Sequence, residues 1–92
     1  MIRRNLRITG TVQGVFYRAW FTEQARALGL AGWVRNRADG SVEAVVEGTP
    51  EQVEAGIERA RQGSPASHVD DVQVSDDAPA VSLDGFVTRP SE

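Results

Sequence analysis

Cysteine is absent from this chain. Its absence excludes disulfides, thiolate catalysis and cysteine-based zinc or iron sites, and it suits a reducing compartment. Histidine occurs once, at His68, so a histidine-based transition-metal site has no support. No apolar run is long enough for a membrane span or a signal-peptide core. Charged and polar residues interrupt the segment after the basic start Met1-Ile2-Arg3-Arg4-Asn5. The expectation is a soluble cytoplasmic protein with no membrane partner. Positive charge is not in excess either: 10 Lys and Arg stand against 13 Asp and Glu, a net charge of -3. The surface as a whole does not attract nucleic acid. An anionic ligand therefore needs a local positive site.

What is present is ordinary globular material, 40% hydrophobic and 25% charged. Ninety-two residues are enough for one core between two layers, so residues 1–92 are expected to form a single domain. Leu6, Ile8 and Val12 alternate with Arg7, Thr9 and Thr11, the period of a strand with one buried face. Tyr17 to Leu28 reads as a helix, with Phe21, Ala25 and Leu28 on one stripe and Gly29 as its stop. Ala31 to Ala38 and Ser41 to Gly48 read as strands around the turn signal Asp39-Gly40. Thr49-Pro50-Glu51-Gln52 is a capping-box start for a second helix, ended by Gly63 and Pro65. Val69 to Val74 is expected as a fourth strand, Asp76 to Ala80 as loop, and Gly85 to Arg89 as a short last strand.

This order is the split βαβ pattern of an α+β, ferredoxin-like βαββαβ sandwich. It implies an antiparallel sheet of four to five strands with two helices on one face. Strands one and two run parallel through a right-handed crossover, with strand three between them. Their C-terminal ends emerge at one edge of the sheet, about 9–10 Å apart. The loop from Gln13 to Arg18 leaves the first end, and Asn36 sits near the second.

Gly14-Val15-Phe16-Tyr17-Arg18 is the anion candidate. Backbone N–H groups of a loop entering a helix converge on an anion, and the helix N-terminus adds partial positive charge. Gly14 allows the positive φ that a concave loop needs. Arg18 offers a planar fork for two phosphoryl oxygens. Asn36 has the carbonyl and amide to orient a water. Alone, a Gly-x-x-x-Arg run marks only a strand-to-helix turn, and a lone asparagine only a strand end. Trp20, Trp33, Phe16 and Tyr17 read as packing residues around the helix and loop. His68 reads as an exposed loop residue away from this edge. The aspartates Asp70, Asp71, Asp76, Asp77 and Asp84 lack the spacing of a calcium loop, so no metal is expected.

Taken together, these segments resemble the acylphosphatase family. Thr11-Val12-Gln13-Gly14-Val15-Phe16-Tyr17-Arg18 is similar to its first signature. Gly32-Trp33-Val34-Arg35-Asn36 with Asp39-Gly40-Ser41-Val42 is similar to its second. Gly63-Ser64-Pro65 and Phe86-Val87-Thr88-Arg89 also correspond, so the resemblance spans nearly the whole chain. It implies hydrolysis of the carboxyl–phosphate bond of a small-molecule acyl phosphate; no cofactor is expected from the residues, and a monomer is the default. Arg18 and the loop from Gly14 would bind the phosphoryl group, and Asn36 would place the attacking water.

The chemistry suits that inventory. A carboxylate leaving group has a conjugate acid of pKa about 4, so it departs without a general acid. A loose transition state needs little early deprotonation of the water. Positioning and charge stabilisation remain as the protein's task. Two other classes share this element order. An RNA-binding module needs stacking aromatics on its sheet, and strands one and three contain none. A non-catalytic, acylphosphatase-like module binding phosphate or carbamoyl phosphate is the alternative reading.

Overall fold

Apolar residues at every second position build the sheet. In the computed structural model, which describes residues 1–76, 78 and 85–91, five strands and two helices succeed one another. They are β1 (Ile2–Thr11), α1 (Tyr17–Ala27), β2 (Ala31–Asn36), β3 (Val42–Gly48), α2 (Pro50–Gln62), β4 (His68–Ser75) and β5 (Phe86–Thr88). Leu6, Ile8, Val34, Val42, Ala44, Val46, Val72 and Phe86 form the inner face, with Tyr17, Phe21 and Ala25 of α1 and Val53 and Ala60 of α2 in the same core. Each such large side chain fully removed from water contributes about 1.5–3 kcal/mol. None of the described helices is long and apolar enough to cross a membrane.

The capping box at α2 is complete: Thr49 Oγ1 accepts from Gln52 N at 3.2 Å, and Thr49 N donates to Gln52 Oε1 at 2.9 Å. Gly56 on this helix is buried where a Cβ would stand 2.7 Å from Leu30 Cδ1, so its lack of a side chain serves close packing. The β2–β3 connection is the five residues 37–41, closed on itself by Arg37 N donating to Ser41 O at 2.8 Å. Consequently β2 ends at Asn36, two residues before the expected Ala38. Asp77, Pro79 and Ala80, expected in loop, lie outside the described residues, as does Asp84.

The sheet order is β4-β1-β3-β2-β5, as a ferredoxin-like fold requires for its first four strands. One expectation changes. The sheet is mixed, not wholly antiparallel, because β5 pairs parallel to β2. β4 runs against β1 and ends where β1 and β2 begin. A strand entering there along the free edge of β2 must run in the direction of β2. This brings Thr88 and Arg89 to the edge where β1 and β2 end.

Gly32 makes the β2–β5 seam. Its φ is 135°, a Cβ there would lie 1.8 Å from Val45 O, and its N–H donates to Gly85 O at 3.1 Å. Gly32→Ala must both strain the backbone and push β3 away. We expect a loss of about 3 kcal/mol, the upper end for a strained residue, read as a lower urea midpoint at unchanged slope.

Candidate active site

α1 starts without a side-chain cap. Its N-cap is Phe16, at φ 61° and ψ 25°, with no capping hydrogen bond and no acidic residue in the first turn. The first N–H groups of a helix lack intrahelical partners and carry its positive end. At α2 Thr49 and Gln52 answer that need, with Glu51 in the first turn; at α1 no side chain does. Gly14, at φ 75°, has nothing within 4 Å of a would-be Cβ, so backbone rotation and not crowding calls for glycine there.

Gln13 ties this loop to the neighbouring hairpin. Its Nε2 donates to Arg37 O and Ser41 O, each at 2.8 Å. Arg18 lies in the first turn of α1, and its Nη1 donates to Arg89 O at 2.9 Å. The backbone just past β5 thus holds one corner of the guanidinium, and its other donors have no protein partner among the described residues. Arg89 is itself anchored, with its N–H on Val34 O at 2.8 Å and its guanidinium 5.1 Å from the Trp33 ring centre.

Asn36 closes β2 on the same face as Val34, the side covered by the helices. Its Oδ1 is buried and has no hydrogen-bond partner among the described residues. An unmet buried acceptor costs about 1–3 kcal/mol. The crossover topology brings Arg18 and Asn36 into one cavity of about 290 Å³, whose wall also contains Gly14, Phe16 and Tyr17. Val12, Ala19 and Thr88 complete it. Val15, expected with the loop, is outside this wall and packs against the core.

Tyr17 is rooted in the core. Its hydroxyl donates to Ala60 O at 2.9 Å, and burial pushes its pKa upward. Phe16 does not pack as expected: it is 85% exposed, because the left-handed N-cap turns it away from the core. His68 also changes place. It is the first residue of β4 and pairs with Thr11, which puts it at the same end of the sheet as the loop. It stays off the cavity wall, exposed and 3.3 Å from Asp70. Antiparallel pairing of β4 with β1 is the reason: the start of β4 meets the end of β1.

The sequence alone marks no site role for Gln13, Thr88, Val12 or Ala19. For Gln13 the one available signal is its place beside Gly14. Thr88 required knowing that β5 runs parallel to β2.

Behind the site, Glu43 gathers three donors on the outer sheet face. It accepts from Asn5 Nδ2 at 3.0 Å, Arg35 Nε at 3.0 Å and Arg37 Nη1 at 2.8 Å. Burial pushes the Glu43 pKa up, but these bonds outweigh it and hold the carboxyl below its usual 4.5. Because the folded value is depressed, the stabilisation is present above the unfolded value and is lost as pH falls through the folded one. Urea titrations should show wild type more stable than Glu43→Gln at neutral pH, with the gap closing below about pH 4.

Comparisons with known proteins give the family and the fold. The acylphosphatase family model matches residues 4–88. The chain belongs to the acylphosphatase family. An acylphosphatase of Rhizorhabdus wittichii is 56% identical over 90 residues, 98% of this chain and 90% of that protein. The crystal structure of an acylphosphatase from Bacillus subtilis matches with a TM-score of 0.90 at 34% identity, covering 97% of this chain and 99% of that one. HypF of T. kodakarensis matches with a TM-score of 0.83 at 29% identity, over 97% of this chain but 12% of its own. The resemblance carried by the two signature segments is therefore borne out. So is the enzyme class: acylphosphatases are hydrolases acting on phosphorus-containing acid anhydrides, here acyl phosphates.

Proposed function

We propose that water attacks a phosphoryl group held by Arg18 and the amides of the Gly14–Arg18 loop, with Asn36 positioning that water. One observation carries the reading: Arg18 and Asn36, 18 residues apart in sequence, line the same cavity beside the uncapped start of α1. The N–H groups and the guanidinium meet phosphoryl oxygens; the unmet Asn36 acceptor meets a water hydrogen. The carboxylate leaves unprotonated, so neither His68 nor an acidic residue is needed. A phosphoryl oxygen of the substrate takes the water's proton. No metal enters this scheme.

Phosphate release from benzoyl phosphate or acetyl phosphate, with EDTA present, tests it. Activity should persist in EDTA, and inorganic phosphate should compete with substrate. A requirement for added metal, or no competition at high phosphate, would overturn the scheme. We further propose that residues 1–92 act as one monomeric domain, giving a single unfolding transition and a sedimenting mass of 10.0 kDa. The HypF likeness favours a second reading, a non-catalytic module binding phosphate or carbamoyl phosphate, because there the matched region is a small part of a longer chain. Phosphate binding without turnover would select it. The R. wittichii acylphosphatase, matched over 90% of its own length, favours the enzyme.

A further inference from the structure

Phe16 carries two unfavourable features at once. Its ring is 85% exposed, whereas Phe21 and Phe86 are buried in the core. It is also the one non-glycine with positive φ among the described residues, at 61°. Apolar surface left in water forgoes the main stabilising term of folding, and a left-handed backbone strains a residue with a Cβ. Packing recovers neither: Phe16 is absent from the side chains packed against the core and from the ring contacts that join Tyr17, Trp20, Phe21 and Phe86. A buried aromatic at this loop position would be explained by the fold. An exposed one, kept in a left-handed backbone despite its cost and lining the cavity, points to a ligand.

The wall divides by chemistry. Arg18, Asn36 and the loop amides are suited to the oxygens of one end of a substrate. Phe16 and Ala19, which also line the cavity, are the apolar side chains beside the other end. An acyl phosphate has these two ends, a charged phosphoryl group and an organic acyl group. Resting on the phosphoryl-site reading above, we propose that the Phe16 ring contacts the acyl group and makes the site selective for acyl phosphates with an aromatic or extended apolar acyl group over acetyl phosphate. Binding energy from that non-reacting part then helps hold the phosphoryl group for attack.

The test is the ratio of kcat/KM for benzoyl phosphate to that for acetyl phosphate, in wild type, Phe16→Gly and Phe16→Asn. Glycine and asparagine both accept the left-handed backbone, so either variant removes the ring while keeping the loop conformation accessible. The ratio cancels any loss common to both substrates. It should fall about tenfold in both variants, the size of a lost aromatic contact. A ratio within twofold of wild type in both variants would overturn the assignment and leave Phe16 as a shaper of the loop. Inhibition of wild type by inorganic phosphate, measured alongside, separates the two levels. With phosphate competing, an unchanged ratio condemns only the acyl contact. Without competition, the phosphoryl site itself is wrong, and the acyl assignment falls with it.

Discussion

Arg18→Ala should lower kcat/KM for benzoyl phosphate by about a thousandfold, the upper end for removing one group that stabilises transition-state charge. The guanidinium is the only cationic side chain on the cavity wall among the described residues. Its charge and its fork both act on the phosphoryl oxygens, so the variant should lose ground-state binding as well as rate. The inhibition constant for inorganic phosphate should rise in parallel. Arg18→Lys keeps the charge but loses the fork and the reach to Arg89 O, and should recover only part of the activity. Stability should change little, since Arg18 is half-exposed and outside the core. Undiminished activity in the alanine variant, measured by phosphate release, would contradict the assignment.

Asn36→Ala should give a different signature. The proposed role of Asn36 is to place water, not to hold the anion. We expect kcat to fall by about a hundredfold or more, while KM and inhibition by phosphate stay near wild type. This kcat-against-KM split separates the two residues. Stability should move the other way. Alanine removes a buried acceptor that has no partner among the described residues, so the variant should be as stable as wild type or more stable by about 1 kcal/mol. A variant that loses phosphate binding as fully as Arg18→Ala would show that Asn36 grips the anion instead.

The legible parts of this molecule are those set by local pattern. Alternation of Leu6, Ile8, Val42, Ala44 and Val46 gave the inner sheet face, and Thr49 with Gln52 gave the start of α2. The Arg18–Asn36 pair was legible one step further on, because a right-handed crossover and an intervening third strand leave few ways to arrange β1 and β2. What escaped depends on pairing between distant segments. The direction of β5, and with it Thr88 and the Arg89 carbonyl, is set by where β4 ends. The place of His68 beside Thr11 likewise depends on the pairing of β4 with β1. The exposure of Phe16 is not legible either: its residue type predicts burial, while its left-handed N-cap position decides exposure.

The central claim is that water attacks phosphorus while the acyl carbon is left alone. Hydrolysis of benzoyl phosphate in water enriched in heavy oxygen, with EDTA present and both products analysed by mass spectrometry, tests it directly. The account predicts one heavy oxygen in the released phosphate and none in benzoate. Heavy oxygen in benzoate would place the attack at the carbonyl, where neither the Gly14–Arg18 loop nor Asn36 would have the role assigned to it.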